Sequence, residues 1–394
     1  MRPLEHLRVL EIGQYIAAPY CSLMFADQGA EVVKLERPGS GDPRRAYDPR
    51  VGHGEESLSG GFLTYNRGKR SLALDLREEE DRSAFLRLLP DFDVVVENLR
   101  PGAMERLGLG WDVLEAAHPG LVYCAISGFG RSDERRGKFA GRPAFDTSVQ
   151  ATGGLMSVIG EAGGPPLPSV TGFADIYTGV HAAFGIMSAL AARQRTGRGA
   201  FVDVSMYDCV SSLMERELML HDFTGELRER GVDRYAPVGT LAALDGYVAL
   251  ILPTDEMWHR FCAAIGRSDL VDDPRFATVL DRARVFGTLV RTEAEQWTRT
   301  RTRAEVVEAL TAAGVPVGEV QEVGELYECE HLQARGMFLR IADPEGGERR
   351  VIRTPVVLEG FESPASSSVP VLGEMTSELL ASGGLGGVGR GGAA

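Results

Sequence analysis

The first third of the chain alternates short apolar runs with helical stretches, and this alternation sets the predicted fold. Runs rich in β-branched residues occur at 8–12, 31–35, 71–76, 93–97 and 121–126. Helical stretches separate most of these runs. Apolar runs of this length between helices are typical of parallel strands that are covered on both faces. The pattern therefore predicts an α/β fold built on a doubly wound parallel sheet.

A long, mostly apolar helix is predicted over residues 176–195, with Gly197 as a suitable stop just past its end. A strand at 200–205 and a helix near 206–221 continue the alternation. The pattern then changes near residue 225, where hairpin and capping signals replace it. We therefore expect one large domain to end there and a smaller one to begin.

The region after residue 225 predicts an α+β domain. Residues 238–252 are typical of a β-hairpin that turns at Asp245-Gly246. Thr302 and Glu305 form a capping box, which predicts the start of a helix that ends at Gly314.

Four segments follow from these patterns. They are a large Rossmann-like domain at 1–225, a small domain at 226–325, a return segment at 326–381 and a tail at 382–394. The return segment is expected to complete the large domain. The tail is rich in glycine and cannot bury enough apolar surface to order itself, so we expect it to be flexible.

Composition narrows the class of protein. The 394 residues carry a net charge of −14, which argues against a general attraction to nucleic acid or to an anionic membrane. The five cysteines are scattered and lack metal-ligand spacing, so neither a disulfide framework nor a zinc site is expected. The N-terminus lacks the apolar core of a signal peptide, and the helix at 176–195 is too interrupted to predict a membrane span. These features favour a cytoplasmic protein.

Basic residues and glycines recur beside strand ends in this acidic protein. The clusters lie at 37–45, 66–70, 98–106 and 127–131. Guanidinium groups and exposed backbone N–H groups suit phosphate oxygens, and open α/β sheets bind ligands at the carboxyl ends of their strands. For any single cluster, a solvated rim that pairs with neighbouring acids is the alternative. Four clusters at similar positions weaken this alternative but leave it open, and a ligand bound by them would carry several phosphates.

The usual motifs for phosphate ligands are absent. Gly13 is followed by Gln14-Tyr15-Ile16, so the G-x-G-x-x-G of NAD and FAD proteins is missing, and the sequence has no P-loop. Ser127 lacks the first glycine of a nucleophile elbow. No H-E-x-x-H occurs, and no metal site is expected. Ligands of the mononucleotide type, such as coenzyme A, remain.

Asp175 is the acid of greatest interest, because it directly precedes the long apolar helix. Aspartate is a favoured N-cap residue, and this role alone would explain its position. The same position suits catalysis, since a helix N-terminus stabilises an ionised carboxylate, and an ionised carboxylate in a cleft can act as a nucleophile. The spacing leaves both interpretations open.

Ordered motifs along nearly the whole chain, from about residue 4 to 381, carry a resemblance to a known family. They include Leu7-Arg-Val-Leu-Glu, Asp27-Gln-Gly-Ala-Glu-Val-Val-Lys-Leu-Glu-Arg-Pro, Asn66-Arg-Gly-Lys-Arg-Ser, Val96-Glu-Asn-Leu-Arg-Pro-Gly and Arg195-Thr-Gly-Arg-Gly. The chain resembles the class III CoA-transferases, the CaiB/BaiF family, whose fold the alpha-methylacyl-CoA racemases share. The resemblance implies a Rossmann-like large domain, a small domain and an interlocked homodimer.

The resemblance also implies a site. Asp175 falls on the family's nucleophilic aspartate, which forms an aspartyl-CoA thioester while CoA moves from an acyl-CoA to a small carboxylic acid. No tightly bound cofactor is implied, because coenzyme A is part of the substrate. The implied CoA contacts are Gln14, Ala17, Arg37, Lys69, Arg70, Ser71, Asn98, Arg106, Phe145 and Asp146.

Departures from the family pattern bear on the choice of reaction. Racemases of this fold have a histidine where this chain has Phe145, and a phenyl ring cannot move a proton. That favours a transferase over a racemase or epimerase. Ile16 replaces the glutamine of formyl-CoA transferase, the glycine-rich flap of that enzyme is absent, and Met375 replaces a common histidine. A non-catalytic CoA-binding protein, in which Asp175 only caps a helix, is the third alternative.

Overall fold

The computed structural model describes residues 1–52, 57–233, 235–362 and 366–385. The chain forms two compact units. The large unit comprises residues 1–154, 169–213 and those from 330 onward, and the small unit comprises 155–168 and 214–329.

These boundaries differ from the predicted domains in detail. Residues 155–168 and 214–225 belong to the small unit, although the sequence pattern placed them in the large domain. The return of the chain to the large unit begins at residue 330 rather than 326. The first of these segments contains three glycines and three prolines, which interrupt any hydrophobic period that could indicate which core it joins.

The part of the chain before residue 214 supplies most of the large unit. Its strands are β1 (Arg8–Ile12), β2 (Glu31–Glu36), β3 (Arg50–Val51), β4 (Leu58–Ser59), β5 (Arg70–Ala73), β6 (Val94–Glu97), β7 (Val122–Ser127) and β8 (Ala200–Ser205). Its helices are α1 (Ala17–Ala26), α2 (Gly60–Asn66), α3 (Glu79–Leu88), α4 (Ala103–Arg106), α5 (Trp111–Ala117), α6 (Asp146–Thr152), α8 (Phe173–Thr196) and α9 (Met206–Ser212), while α7 (Leu155–Val158) lies in the small unit.

Six of these strands form one parallel sheet in the order β5-β2-β1-β6-β7-β8. The order runs outward from β1 in both directions, as in a doubly wound fold, and reverses between β1 and β6. The predicted parallel sheet is confirmed. Ligands of such sheets bind outside the carboxyl ends of the strands at this reversal.

The two faces of the sheet have different chemistry. On one face, Leu10, Val33 and Val95 join a core that includes Phe85 of α3 and Leu114 of α5. On the other face, α1 and α8 cover the sheet, and the alternation of the strands turns ionisable side chains inward beneath them. Those buried ions turn out to support the candidate site.

The small unit has its own core. It contains α10 (Glu215–Thr224), β9 (Val238–Ala243), β10 (Gly246–Ile251), α11 (Asp255–Ala264), α12 (Val279–Arg284), α13 (Arg291–Thr298), α14 (Arg303–Ala312) and β11 (Val317–Glu319). Its antiparallel sheet has the order β11-β10-β9. The capping box at Thr302 and Glu305 is confirmed. The hairpin pairs Ala243 with Gly246, so its turn lies at residues 244–245, one residue before the predicted position.

The return segment adds α15 (Glu330–Ala334), β12 (Phe338–Ala342), β13 (Glu348–Ile352) and α16 (Thr376–Ser382) to the large unit. The predicted flexible tail began at residue 382, but Ser382 ends α16 and the side chain of Leu385 is buried in the core of the large unit. Its backbone N–H donates to Asp91 Oδ2 at 2.7 Å. Residues 386–394 of the predicted tail lie outside the described residues.

No helix in the described ranges is long and apolar enough to cross a membrane.

Candidate active site

The start of α8 carries the residue of greatest interest. The helix begins at Phe173, and Gly172 is its N-cap with φ of +90°. Asp175 is therefore the third residue of the first turn, and the interpretation of Asp175 as the cap is wrong. A Cβ on Gly172 would lie 3.3 Å from Cδ1 of Ile16. A side chain there would meet both strain and crowding, so glycine lets the start of α8 approach the loop after β1.

Asp146 performs the capping role that the sequence left open for Asp175. The backbone N–H of Ala174 donates to Asp146 Oδ1 at 2.7 Å, and Gln150 Nε2 donates to Asp146 Oδ2 at 2.7 Å. Gln150 is held in turn, because its Oε1 accepts from the N–H and the hydroxyl of Ser169 at 2.9 Å each. Both carboxylate oxygens of Asp146 therefore accept hydrogen bonds. The cap of α8 does not require the carboxyl group of Asp175.

The carboxyl group of Asp175 is largely buried and accepts no hydrogen bond from any described residue. Its pKa is raised to about 7: burial is the largest cause, the negative charge of Asp146 adds to it, and the charge of Arg44 opposes both effects. The position at a helix N-terminus therefore does not hold the pKa of this group at the low value that the sequence led us to expect. Near neutral pH the protonated and ionised forms of Asp175 coexist.

Arg44 and Tyr65 are near neighbours of Asp175. The sequence did not identify Tyr65 as a site residue and placed Arg44 only within the basic cluster at 37–45. The Cζ of Arg44 lies 4.9 Å from the ring centroid of Tyr65 and 5.3 Å from that of Tyr47. Burial raises the pKa of Tyr65, Arg44 lowers it, and the charges of Asp175 and Asp146 raise it. The hydroxyl oxygen of Tyr65 would lie 4.0 Å from a Cβ on Gly172, beside the start of α8.

Aromatic side chains surround this group of charges. Tyr15, with φ of +65°, is the one non-glycine residue with a positive φ among the described residues. Its ring lies 6.0 Å from that of Phe145 and 6.4 Å from that of Tyr47, edge-on in both cases. Phe145 is 67% exposed. The structure therefore brings Phe145 and Asp146 to the start of α8 with Asp175.

A crevice opens at the carboxyl ends of β1 and β2, beside the reversal of strand order. Gln14 and Arg37 are among its lining residues. The side chain of Asn98 supports it, because Asn98 Oδ1 accepts the N–H of Gln14 at 2.9 Å and Asn98 Nδ2 donates to the carbonyl of Gln14 at 2.8 Å. Arg37 is exposed and forms no ion pair with a described residue. A free guanidinium in this position suits a phosphate group.

Ala17 and Arg106 lie at the edges of the site. Ala17 begins α1, and its carbonyl oxygen would lie only 2.9 Å from a Cβ on Gly179 of α8, so the two helix backbones touch there. Arg106 ends α4, is exposed, and forms no ion pair with any residue that the structure describes. It does not line the crevice.

Three predicted CoA contacts have structural partners instead. Lys69 is buried, and its ammonium group donates to Glu11 at 2.7 Å, to Asn66 at 2.9 Å and to the carbonyl of Pro19 at 2.9 Å. The hydroxyl of Ser71 is also buried and donates to Glu36 at 2.7 Å.

Arg70, the third of these residues, lies at the amino end of β5, where it faces Glu31 and Glu378. The structure does not bring Lys69, Arg70 or Ser71 to the crevice. Their residue types predicted a phosphate site, but the sequence contains no sign of their burial or of their partners.

The chemistry that this region can perform follows from its donors and charges. Asp175 offers a carboxylate without a structural partner, and Arg37 offers a free cation in the crevice. In the described part of the chain, no three His, Cys, Asp or Glu side chains come together as ligands for a metal ion.

Comparison with known proteins identifies the family. The family model described as CoA-transferase family III matches residues 4–376. A succinyl-CoA:mesaconate CoA-transferase of Haloarcula hispanica is 38% identical over 98% of both chains, and a succinyl-CoA–D-citramalate CoA-transferase of Chloroflexus aurantiacus is 33% identical over 96% of this chain and 93% of that one. The crystal structure of a CaiB/BaiF family protein from Brucella suis superimposes with a TM-score of 0.84 at 32% identity, covering 97% of this chain and 99% of that one. The chain belongs to CoA-transferase family III.

Proposed function

We propose that this enzyme moves CoA from an acyl-CoA to a small carboxylic acid through a thioester on Asp175. The observation that carries the proposal is the division of roles between two acids. Asp146 caps α8 with both oxygens engaged, which leaves the carboxyl group of Asp175 free at the same helix start. The relatives' names favour succinyl-CoA as the donor and a dicarboxylic acid such as mesaconate as the acceptor to test first.

The transfer begins at the carboxylate oxygen of Asp175, which attacks the thioester carbonyl carbon of the donor. The C–S bond breaks, CoA leaves as the thiolate, and a mixed anhydride joins the acyl group to Asp175. The thiolate then attacks the side-chain carbonyl of Asp175 and expels the donor's carboxylate, which leaves an aspartyl-CoA thioester. The acceptor carboxylate enters, and the same steps run in reverse to release the new acyl-CoA and Asp175.

The surroundings of Asp175 support these steps. Only the ionised form can attack, and a pKa near 7 keeps a substantial ionised fraction at neutral pH while preserving a basic, reactive carboxylate. The first N–H groups of a helix have no partner within the helix. Those at the start of α1, around Ala17, are our candidates to stabilise the oxyanions. The nucleotide end of CoA would occupy the crevice with Arg37 and Gln14.

A racemase needs two bases that face the α-carbon of the substrate, and neither Phe145 nor Asp146, the described residues beside Asp175 at the start of α8, is suited to be the second base. Phe145 has no titratable group, and both oxygens of Asp146 are engaged by Ala174 and Gln150. Racemisation at the α-carbon of the acyl group is therefore our second candidate function. An absence of α-carbon exchange in heavy water with 2-methylacyl-CoA thioesters is the expected result, and fast exchange would reverse this order.

The deciding experiment traps the intermediate. Purified enzyme is mixed with succinyl-CoA, treated with hydroxylamine or borohydride, and digested for mass spectrometry. We expect modification of Asp175 and of no other acid, and we expect Asp175→Asn to lose both the adduct and the transfer to mesaconate. Asp133→Asn is the matched control, since Asp133 is an exposed aspartate that pairs with Arg136. Full transfer activity in Asp175→Asn would end the proposal.

We also infer that two copies associate as a homodimer, as the family resemblance implied. The long helix α8 presents Val180, Phe184 and Met187 to solvent at the i, i+4, i+7 spacing of one helix face. An apolar face of this kind favours burial against a partner. The interlocked form of that dimer and location in the cytoplasm stay predictions.

A further inference from the structure

The guanidinium group of Arg44 is a positive charge that no carboxylate of the described residues neutralises. It is half-buried, and it forms no ion pair with an acidic residue in the described parts of the chain. Its neighbour Arg45 shows the contrast, since the guanidinium of Arg45 contacts Glu36 through two bonds of 2.8 Å and 2.6 Å. Arginine is rarely buried without a partner, because the lost hydration of the charge must be replaced.

The guanidinium of Arg44 is held in place by other means. Its backbone N–H donates to Asp42 Oδ1 at 2.9 Å, and its Nε donates to the carbonyl oxygen of Gly61 at 2.6 Å. The rings of Tyr47 and Tyr65 lie against the cation at the distances of cation–π contacts. The Nε of the guanidinium group therefore has a hydrogen-bond partner. The two terminal nitrogens, Nη1 and Nη2, donate to no described residue.

The place of this cation relates it to the reacting group. Tyr65, one of the two rings against it, has its hydroxyl beside the start of α8, and the charge of Arg44 reaches Asp175 strongly enough to oppose the rise of its pKa. Yet Arg44 and Asp175 form no ion pair. The nucleophile and the cation are neighbours that do not neutralise one another.

We propose that Arg44 binds a second carboxylate on the acyl group, which makes this enzyme selective for dicarboxylic acids and their mono-CoA thioesters. The inference rests on the proposed function, because it assumes that the acyl group lies at Asp175. A carboxylate suits the terminal nitrogens of a guanidinium, which bind it with two parallel hydrogen bonds. The acceptor acid takes the place that the donor acid leaves, so both acids meet the same cation.

One alternative gives Arg44 a different role. In it, the guanidinium acts only through Asp175, by favouring the ionised form of the nucleophile. Loss of that effect would slow every acyl-CoA by the same factor, because every acyl-CoA reacts with Asp175. Loss of a carboxylate contact would slow only those acyl groups that carry a carboxylate. A pair of substrates of equal size separates the two roles.

Succinyl-CoA and butyryl-CoA form that pair, since a methyl group in one replaces the remote carboxylate of the other. The measured quantity is kcat/KM for formation of the Asp175 adduct, followed by mass spectrometry. For Arg44→Met we expect a fall of about 10²–10³-fold with succinyl-CoA, in the range seen when one partner of a buried charge pair is removed. With butyryl-CoA we expect a change of less than about threefold when both substrates are assayed at pH 9, where Asp175 is ionised with or without Arg44, and this result also demonstrates that the variant is folded. Arg44→Lys should recover part of the loss, because it restores the charge without the fork.

Arg37→Met is the matched control. Arg37 lines the crevice assigned to the CoA end, which both substrates share, so its loss should lower both values of kcat/KM by the same factor. Equal losses with both substrates in Arg44→Met would overturn the assignment of Arg44, as would a wild-type enzyme that uses butyryl-CoA as well as succinyl-CoA. Absence of any Asp175 adduct in the wild-type enzyme would instead overturn the proposed function.

Discussion

At the scale of single residues, the two aspartates at the start of α8 have different environments. Asp146 satisfies the backbone N–H of Ala174, and Asp175 remains free and poorly hydrated. Burial is the largest cause of its raised pKa, and the nearby negative charge of Asp146 is the second. The environment therefore sets how much of Asp175, the proposed nucleophile, is ionised at a given pH.

The pH dependence of adduct formation tests this balance. For the wild-type enzyme the rate should rise with pH through an apparent pKa near 7, since only the ionised Asp175 attacks. Asp146→Asn removes the like charge but keeps an oxygen for Ala174, so the apparent pKa should fall by about half a unit to one unit. Single-turnover rates between pH 5 and 9 provide the measurement. Asp133→Asn should leave the profile unchanged, and an unshifted profile in Asp146→Asn would contradict this account.

The free energy of unfolding should also depend on the ionisation of Asp175. The folded pKa of Asp175 lies above that of an unfolded aspartate, so the stability that this group contributes is complete below about pH 4 and is lost as the pH rises to about 7. Asp175→Asn has no charge to bury. Urea unfolding should therefore find the variant more stable than the wild type at pH 8 by about 1–3 kcal/mol, with the difference shrinking towards pH 4.5. A difference that does not vary with pH would argue against a buried, titrating Asp175.

At the scale of elements, a buried ionic network joins the strands to the loops of the site. Glu11 of β1 contacts Lys34 at 2.6 Å and Lys69 at 2.7 Å. Lys34 also contacts Asp42 at 3.0 Å and donates to the carbonyl of Gly13 at 2.8 Å. Asp42 in turn accepts the backbone N–H of Arg44. The network therefore holds the backbone of Arg44, the residue that we propose to bind a carboxylate of the acyl group.

Removal of one ion from this network should be costly. Lys69→Met leaves Glu11 with one cation instead of two and opens the contacts to Asn66 and Pro19. Breaking a buried ion pair costs about 3–5 kcal/mol, so we expect a loss of that order in the free energy of unfolding. The exposed Lys138→Met should change it by less than about 0.5 kcal/mol. A loss below about 1 kcal/mol in Lys69→Met would show that the network is not held as described.

The same elements show what the sequence could and could not predict. The strands of the large sheet were predictable, because a short apolar run between helices is typical of a parallel strand covered on both faces. The burial of Lys69 and Ser71 was not predictable, because a charged or polar residue beside a strand is usually exposed and only tertiary contacts reveal its burial. Asp175 was identified through the family motif, but Asp146 as the cap of its helix depends on a contact over 28 positions in the chain. Arg44 and Tyr65 meet through cation–π geometry, which leaves no trace in a linear sequence.

At the scale of the whole molecule, α8 presents an ordered apolar face to solvent. Val180, Phe184 and Met187 follow one side of α8, and Phe184 is 74% exposed. The opposite side of the same helix carries buried residues that pack on the sheet, such as Ala182 and Ile186. A helix that is apolar on both sides is expected to be covered on both sides, because exposed apolar area of this kind is unfavourable in water.

The proposed homodimer would cover this face, and Phe184→Asp tests it. A charge placed at the centre of a buried apolar contact must lose its hydration without gaining a partner, so we expect the dissociation constant of the dimer to rise by at least about tenfold. Analytical ultracentrifugation over a range of concentrations provides the measurement. Leu244→Asp is the control, since Leu244 is a similarly exposed leucine in the hairpin turn of the small unit and should leave the dimer intact. A monomeric wild type, or a variant that dimerises as tightly as the wild type, would remove α8 from any interface.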